Sequence, residues 1–237
     1  VRMRVRIELH PLNDEPYPYD HHYPLSGVVY GWMKAADEVL SAELHYSREI
    51  KLFTFSEVLC GERKATKEGI LPLSNPYIVY SSPNADYVRA FVEGVLSRPE
   101  FHLGEARFAV ERVEVLREPE FSGKATFRTL SPIVVSTMTD EGEKWYLHPD
   151  SPKWYVNLER NLKRKHAMVH GADVHGRLSV NVLHAKPKKY EIKGSAVRGT
   201  HMRFTVEGPP ELLRIGYRAG FGERGAMGFG CVEVVDG

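Results

Sequence analysis

The order in which two hydrophobic periods follow one another constrains this chain more than any other feature. Val1, Met3, Val5, Ile7 and Leu9 alternate with Arg2, Arg4, Arg6 and Glu8, the period of two that a half-buried strand requires. A loop with Pro and His (residues 11–24) follows. Residues 25–44 then place Leu25, Val29, Trp32, Ala36, Val39 and Leu40 at helical spacing. Residues 50–58 and 77–82 read as strands, and 84–96 as a second helix with Val88, Phe91, Val92 and Val95 on one side. Residues 108–116 alternate again. Strand, helix, strand, strand, helix, strand is the split βαβ, or ferredoxin-like, arrangement.

The stretch Glu-Pro-Glu-Phe-Ser-Gly at 118–123 punctuates the chain. Beyond it the same order recurs. A strand is expected over 125–137, a small hairpin near Trp145, a helix over 152–167 and strands over 177–184 and 202–206. A short helix started by proline covers 209–217, and a closing strand 229–235. The fold expected is therefore α+β, two tandem ferredoxin-like (βαββαβ, RRM-like) domains at 1–118 and 119–237. The repeat is one of topology, without strong internal sequence identity. A chain of 237 residues, 42% hydrophobic, has enough apolar material for two such cores, and 27% charged residues argue against disorder. No apolar run approaches the roughly 18 residues that span a bilayer, and the first ten residues lack the apolar core of a signal peptide. Cys60 and Cys231, far apart and without a CxxC, provide neither a disulfide framework nor a zinc site. A reducing, cytoplasmic setting is expected.

The net charge of +1 hides an asymmetry. Residues 151–205 hold twelve Lys/Arg against three Asp/Glu, a net +9, so the remainder carries −8. A basic segment on an acidic body suggests a polyanionic partner, although such a stretch is often only a solvated face.

Residues 220–230 read GFGERGAMGFG, five glycines in eleven positions between the short helix and the last strand. Glycine admits positive φ and close backbone approach, so several amides can converge on phosphate oxygens. The first six residues match GxGxxG, but a dinucleotide fingerprint must follow a strand and open a helix within a βαβ unit, and seven residues remain after Gly230. No Gly-Lys-Ser/Thr follows, so this is not a Walker A loop. The plain alternative is a β-hairpin turn.

The spacing Gly220-Phe221-Gly222, five residues, Gly228-Phe229-Gly230 before a C-terminal strand resembles the signature of the RAMP superfamily. The chain is similar in particular to the archaeal branch of the CRISPR-associated endoribonucleases that process CRISPR repeat transcripts. LSGVVYGWMK, KLFTFS, VLREP, TLSPIVV, AKPKKYEIK and GFGERGAMGFG occur in the order expected of that branch. The resemblance implies metal-independent cleavage by Tyr, His and Lys, with neither metal nor cofactor. The matching positions are Tyr30, His45 and Lys51. At about 100° per residue, Tyr30 falls in the polar sector of its helix with Lys34, Asp37 and Ser41, opposite Trp32, Ala36 and Val39. His45 and Lys51 sit six residues apart across a turn. The roles implied are Tyr30 as base or proton relay, His45 as general acid and Lys51 as electrostatic stabiliser.

Taken singly, a surface His or a Lys opening a strand is ordinary, and only the joint match lifts the three to catalytic candidates. The RNA-binding candidates are Lys163, Arg164, Lys165, Lys186, Lys188, Lys189 and Arg224, with Gly220, Gly222, Gly228 and Gly230. The partners expected are single-stranded CRISPR repeat RNA, other subunits of a CRISPR ribonucleoprotein and a second copy of the chain, with no membrane. The main rival reading is a repeat-RNA-binding subunit that does not cut. A nucleotide-binding metabolic domain rests on GxGxxG alone.

Overall fold

The computed structural model describes residues 3–236. Val1 and Arg2, the start of the alternating segment, and Gly237 lie outside the described residues. The first half runs β1 (Arg4–Pro11), α1 (His22–Ala36), α2 (Glu38–Tyr46), β2 (Thr54–Phe55), β3 (Arg63–Ala65), β4 (Ile70–Pro72), β5 (Tyr77–Ser81), α3 (Ala85–Ser97), β6 (Glu100–Leu103) and β7 (Ala106–Val115). The second runs β8 (Lys124–Thr129), β9 (Ser136–Met138), β10 (Lys144–Tyr146), α4 (Pro152–His170), β11 (Ser179–Ile192), β12 (Ser195–Glu207), α5 (Pro210–Ala219) and β13 (Val232–Val235). The protein is a mixed α+β fold with sheets and helices in the ferredoxin-like style.

The first sheet has the order β2-β5-β1-β7-β6 and the second β11-β12-β8-β13, every pair antiparallel. Val5, Ile7 and Leu9 of β1 are buried against α1 and α3, as their alternation requires. In the second half, Trp154, Leu158 and Leu162 of α4 and Leu212, Leu213 and Ile215 of α5 cover the inner face of the sheet. The halves are joined by buried polar contacts as well as apolar ones. Arg4 lies across the Tyr217 ring, 4.0 Å from its centroid, and donates to the carbonyl of Val232. Thr54 Oγ1 donates to Phe229 O at 2.8 Å, and Ser131 Oγ to Phe55 O at 3.0 Å.

Several expectations are corrected locally, among them the strand over 125–137, which is β8 (Lys124–Thr129) followed after a break by β9 (Ser136–Met138). The helix over 25–44 is two helices, broken where Asp37 turns extended (φ −149°, ψ 101°) and its carboxylate accepts the Leu40 amide at 2.9 Å. Aspartate competes with the helix backbone for donors, so it interrupts a run and caps the next. The strand over 50–58 shrinks to Thr54–Phe55, the only pair in ladder register with β5, although Ser56 N still donates to Val79 O at 2.8 Å. The strand over 177–184 instead runs through the basic stretch to Ile192 and forms a long hairpin with β12.

Candidate active site and nucleic-acid interface

Tyr30 of α1 is half-buried at the margin of the first core and packs edge-on against Phe53, ring centroids 5.8 Å apart. His45, in the last turn of α2, is exposed. Lys51 precedes β2 rather than opening it, and its Nζ stands 5.4 Å from the centre of the Tyr30 ring. The break at Asp37 folds α2 back beside α1. All three side chains then line one cleft of about 550 Å³, with Ser26, Lys34 and Lys193. Burial pushes the Tyr30 hydroxyl up to about 12, reinforced by Tyr87. Burial lowers the Lys51 ammonium, as does the nearby charge of Lys193.

A second cleft, of about 560 Å³, shares Tyr30, Lys51 and Met227 with the first and lies between the halves. The face of α4 bearing Asn157, Arg160, Asn161 and Arg164 forms one wall, at the i, i+3, i+4, i+7 spacing of a single helical stripe. Residues 222–227 form another wall. Lys144 from the β9–β10 hairpin closes a third side and pairs with Glu223 at 3.0 Å.

Much of the glycine-rich loop is committed to packing within the protein. Gly220, Gly222, Gly228 and Gly230 are buried, and many peptide groups of the segment bond within the protein. Gly220 N donates to Gly216 O at 2.9 Å, Phe221 N to Gly230 O at 2.9 Å and Glu223 N to Val134 O at 2.7 Å. Gly230 N donates to Pro132 O at 2.8 Å. A Cβ at Gly228 (φ +81°) would stand 2.6 Å from the Phe55 ring, and one at Gly222 would meet Val134 O at 2.4 Å. The glycines serve close packing of the loop on β2 and on residues 132–135, and only the arc 222–227 faces the cleft.

Lys165 takes part in that packing. It is 2% exposed, pointing inward from α4, and its Nζ donates to Gly220 O at 2.7 Å and Gly222 O at 2.6 Å, with Ala219 O at 3.5 Å. Burial lowers its ammonium to about 7, against the raising effect of Glu223. Lys165 holds the loop from inside and also lines the second cleft. Lys163 is tied to Glu159 at 2.8 Å, whereas Arg164 is exposed at the cleft. Arg224 also lines the cleft and donates to the Tyr146 hydroxyl at 3.1 Å. Lys186, Lys188 and Lys189 are exposed on β11, an edge strand, and line neither cleft, although Lys193, four residues on, lines the first.

Sequence reasoning passed over a buried cluster between the halves. His22 Nε2 stands 3.4 Å and His201 Nε2 3.3 Å from Glu57 Oε1, which also accepts the Tyr190 hydroxyl at 3.3 Å. The His22 ring stacks on Phe229, 4.4 Å between centroids. Burial drives His22 down to about 3, so at neutral pH its contact with Glu57 is not an ion pair. Burial alone would raise Glu57; the hydrogen bond and charge of His201 outweigh it and hold the carboxyl at about 2. Asn157, Asn161, Lys144 and Glu223 were also missed, because their place in the cleft depends on a contact between halves that no local pattern announces. Among the described residues, no group of three or more His, Cys, Asp or Glu is arranged to hold a metal ion. No helix among them is long and apolar enough to cross a membrane.

Residues 16–114 match the family model described as CRISPR-associated protein Cas6, N-terminal, and residues 116–234 match CRISPR associated protein Cas6, C-terminal. The chain is 34% identical to CRISPR-associated endoribonuclease Cas6 1 of Methanocaldococcus jannaschii over 99% of its own length and 93% of the relative's. It is also 34% identical to CRISPR-associated endoribonuclease Cas6 of Pyrococcus furiosus, over 98% and 90%. Among solved structures it resembles a RAMP protein that binds different RNA substrates, with a TM-score of 0.91 and 32% identity over 99% and 100% of the two chains.

Proposed function

This chain belongs to the Cas6 family of CRISPR-associated proteins, in the archaeal branch of the RAMP superfamily, and we propose that it cuts CRISPR repeat transcripts into guide RNAs without a metal ion. One observation supports this reading: Tyr30 of α1, His45 of α2 and Lys51 of the segment before β2 line a single cleft. The 2′-hydroxyl of the RNA attacks the adjacent phosphorus, the 5′-oxygen leaves, and the products carry 2′,3′-cyclic phosphate and 5′-hydroxyl ends. With its phenol raised to about 12, Tyr30 stays neutral at neutral pH and is a poor free base. It acts as a relay, accepting the 2′-proton while passing its own to a non-bridging phosphate oxygen. His45 protonates the leaving 5′-oxygen and then recovers a proton from the cyclised product. Lys51 offsets the charge that builds on the phosphorane.

In this reading residues 1–118 and 119–237 are tandem ferredoxin-like domains, the first cutting and the second holding RNA. The substrate is single-stranded repeat RNA met in the cytoplasm, and the product passes to other subunits of a CRISPR ribonucleoprotein. Arg164, Arg224 and the lysines of β11 track its phosphates. The test is incubation of the protein with end-labelled repeat RNA in EDTA. Cleavage leaving a cyclic phosphate is expected. Binding without any cut would assign the chain to the non-cleaving class, and activity that returned only with magnesium would overturn the metal-free step.

A further inference from the structure

Residues 51–58 form a seam on which the two halves close. Lys51 stands at its head, and Tyr30 packs on Phe53 within it. Thr54 and Phe55 bond across to Phe229 O and Ser131 Oγ, and Glu57 N donates to Leu130 O at 3.1 Å. Glu57 is the only acidic residue of the seam. Two donors from the second half meet on its Oε1, the Tyr190 hydroxyl of β11 and His201 Nε2 of β12, each at 3.3 Å. The protonation of His201 follows from its other side. Thr129 Oγ1 accepts the Met202 amide at 3.0 Å, which leaves its own proton for His201 Nδ1 at 3.1 Å. His201 then carries its hydrogen on Nε2 and donates it to Glu57. From the first half, His21 Nε2 accepts the Val58 amide at 3.0 Å and fixes the next residue. The strand that reaches Glu57 is also the one with the exposed lysines. Lys188 Nζ lies 5.0 Å from the centre of the Tyr190 ring, and Glu191 N donates to Asp20 Oδ2 at 2.8 Å. β11 therefore passes from its basic stretch directly into the boundary with the first half.

We propose that Glu57 is a positioning residue for the cut: it clasps β11 and β12 to the seam and so keeps Tyr30 and Lys51 aligned with an RNA held by the second half. The inference rests on the RNA-cutting reading above and adds to it a residue that acts through others. Tyr30, His45 and Lys51 all belong to the first half, whereas Arg164, Arg224 and the lysines of β11 belong to the second. The orientation of one half on the other then governs the rate of cutting more than the affinity. Without the carboxylate, the Tyr190 hydroxyl and His201 Nε2 lose their acceptor in a buried boundary, and they regain partners by admitting water. Water enters by parting β11 and β12 from the seam. In a site that works by orientation, an ångström of displacement costs up to about a hundredfold in rate.

The experiment compares the parent with Glu57→Leu, Glu57→Gln and His201→Phe on repeat RNA in EDTA. Single-turnover cleavage is read on the RNA itself. Affinity is read on the same RNA with a 2′-deoxy nucleotide at the cut, which lacks the attacking hydroxyl. Glu57→Leu and His201→Phe should each slow cleavage about tenfold or more and change affinity by no more than about threefold. The two combined should lose little more than either alone, because they break the same bond. Glu57→Gln keeps an oxygen acceptor and should recover most of the rate. Spin labels at Arg89→Cys on α3 and Lys153→Cys on α4, both exposed positions, read the boundary directly, since Cys60 and Cys231 are buried. The distance distribution between them should broaden in Glu57→Leu and narrow again in Glu57→Gln. Urea unfolding gives the folded fraction of each variant. Cleavage by Glu57→Leu at the parent rate, or affinity that falls in step with the rate, would overturn the clasp. A parent protein that binds repeat RNA and never cuts it would overturn the cutting reading instead.

Discussion

Replacing Lys165 with methionine tests whether the glycine-rich loop is held from inside. The Lys165 amine has two carbonyl oxygens within 2.7 Å, those of Gly220 and Gly222, and a third only at 3.5 Å. A neutral amine has two N–H donors, which those two short bonds satisfy, while an ammonium leaves one proton poorly met in a buried site. This is the geometry that burial, opposed only in part by Glu223, expresses as a shift from 10.5 to about 7. Between those values the unfolded chain holds a proton that the folded chain lacks, so stability rises with pH across the window. The full slope is on the order of 1.4 kcal/mol per pH unit, or about 2–3 kcal/mol between pH 7 and pH 9. Methionine fills the same space, brings no donor and does not titrate. At pH 9 the variant should be less stable by about 2–4 kcal/mol, the cost of two buried carbonyls left unmet. Near pH 7 the deficit should fall toward zero, since the parent must there carry a buried charge. Urea unfolding of both proteins at pH 6, 7.5 and 9 reads the difference directly. A deficit that stayed constant over that range would refute the buried, proton-shedding anchor.

His45→Ala should slow cleavage about a hundredfold or more while RNA affinity is largely retained, as loss of a general acid requires; parent-like single-turnover rates would remove His45 from the mechanism. Gly228→Ala should destabilise by about 2–4 kcal/mol, combining left-handed strain with the Phe55 contact. Gly194→Ala, where a Cβ meets open space at φ +73°, should lose only about 1 kcal/mol, so equal losses in thermal unfolding would contradict the packing account. Stability should decline as pH falls from 6.5 toward 3, because His22 is held neutral in the fold down to about 3 and must take up a proton on unfolding. His22→Phe, which keeps the stack on Phe229, should flatten that decline, and an unchanged acid limb would assign it elsewhere. Lys186, Lys188 and Lys189 changed together to alanine should reduce the log–log salt slope of RNA binding by about 2; an unaltered slope would take β11 off the RNA path.

What could be read in the sequence was local and periodic. The alternation Val5-Ile7-Leu9 announces β1, and the spacing of Val88, Phe91 and Val95 announces α3, because each pattern records one element's contact with one core. The break at Asp37 was also written there, as an N-capping residue within an apolar run, but the flanking periodicity masked it. The joint placement of Tyr30, His45 and Lys51 came from resemblance and is now one cleft. The glycine segment is ambiguous for a physical reason. Positive φ and a missing Cβ suit a backbone that approaches a phosphate and a backbone that approaches its own protein equally well. Composition cannot separate the two uses; only the neighbours can, here Phe55, Val134 and Lys165. Lys165 shows the same limit from the other side, since a lysine among Lys163 and Arg164 reads as part of a basic face until the 3.6-residue turn of α4 rotates it inward. The +9 of residues 151–205 is therefore not one surface. Arg160 and Arg164 front the cleft, Lys165 lies buried at its base, and the lysines of β11 lie on a sheet edge. In the proposed reading, an RNA held at both exposed patches runs from the cleft between the halves to that edge, which makes the path of the strand, rather than the total charge, the quantity that binding selects.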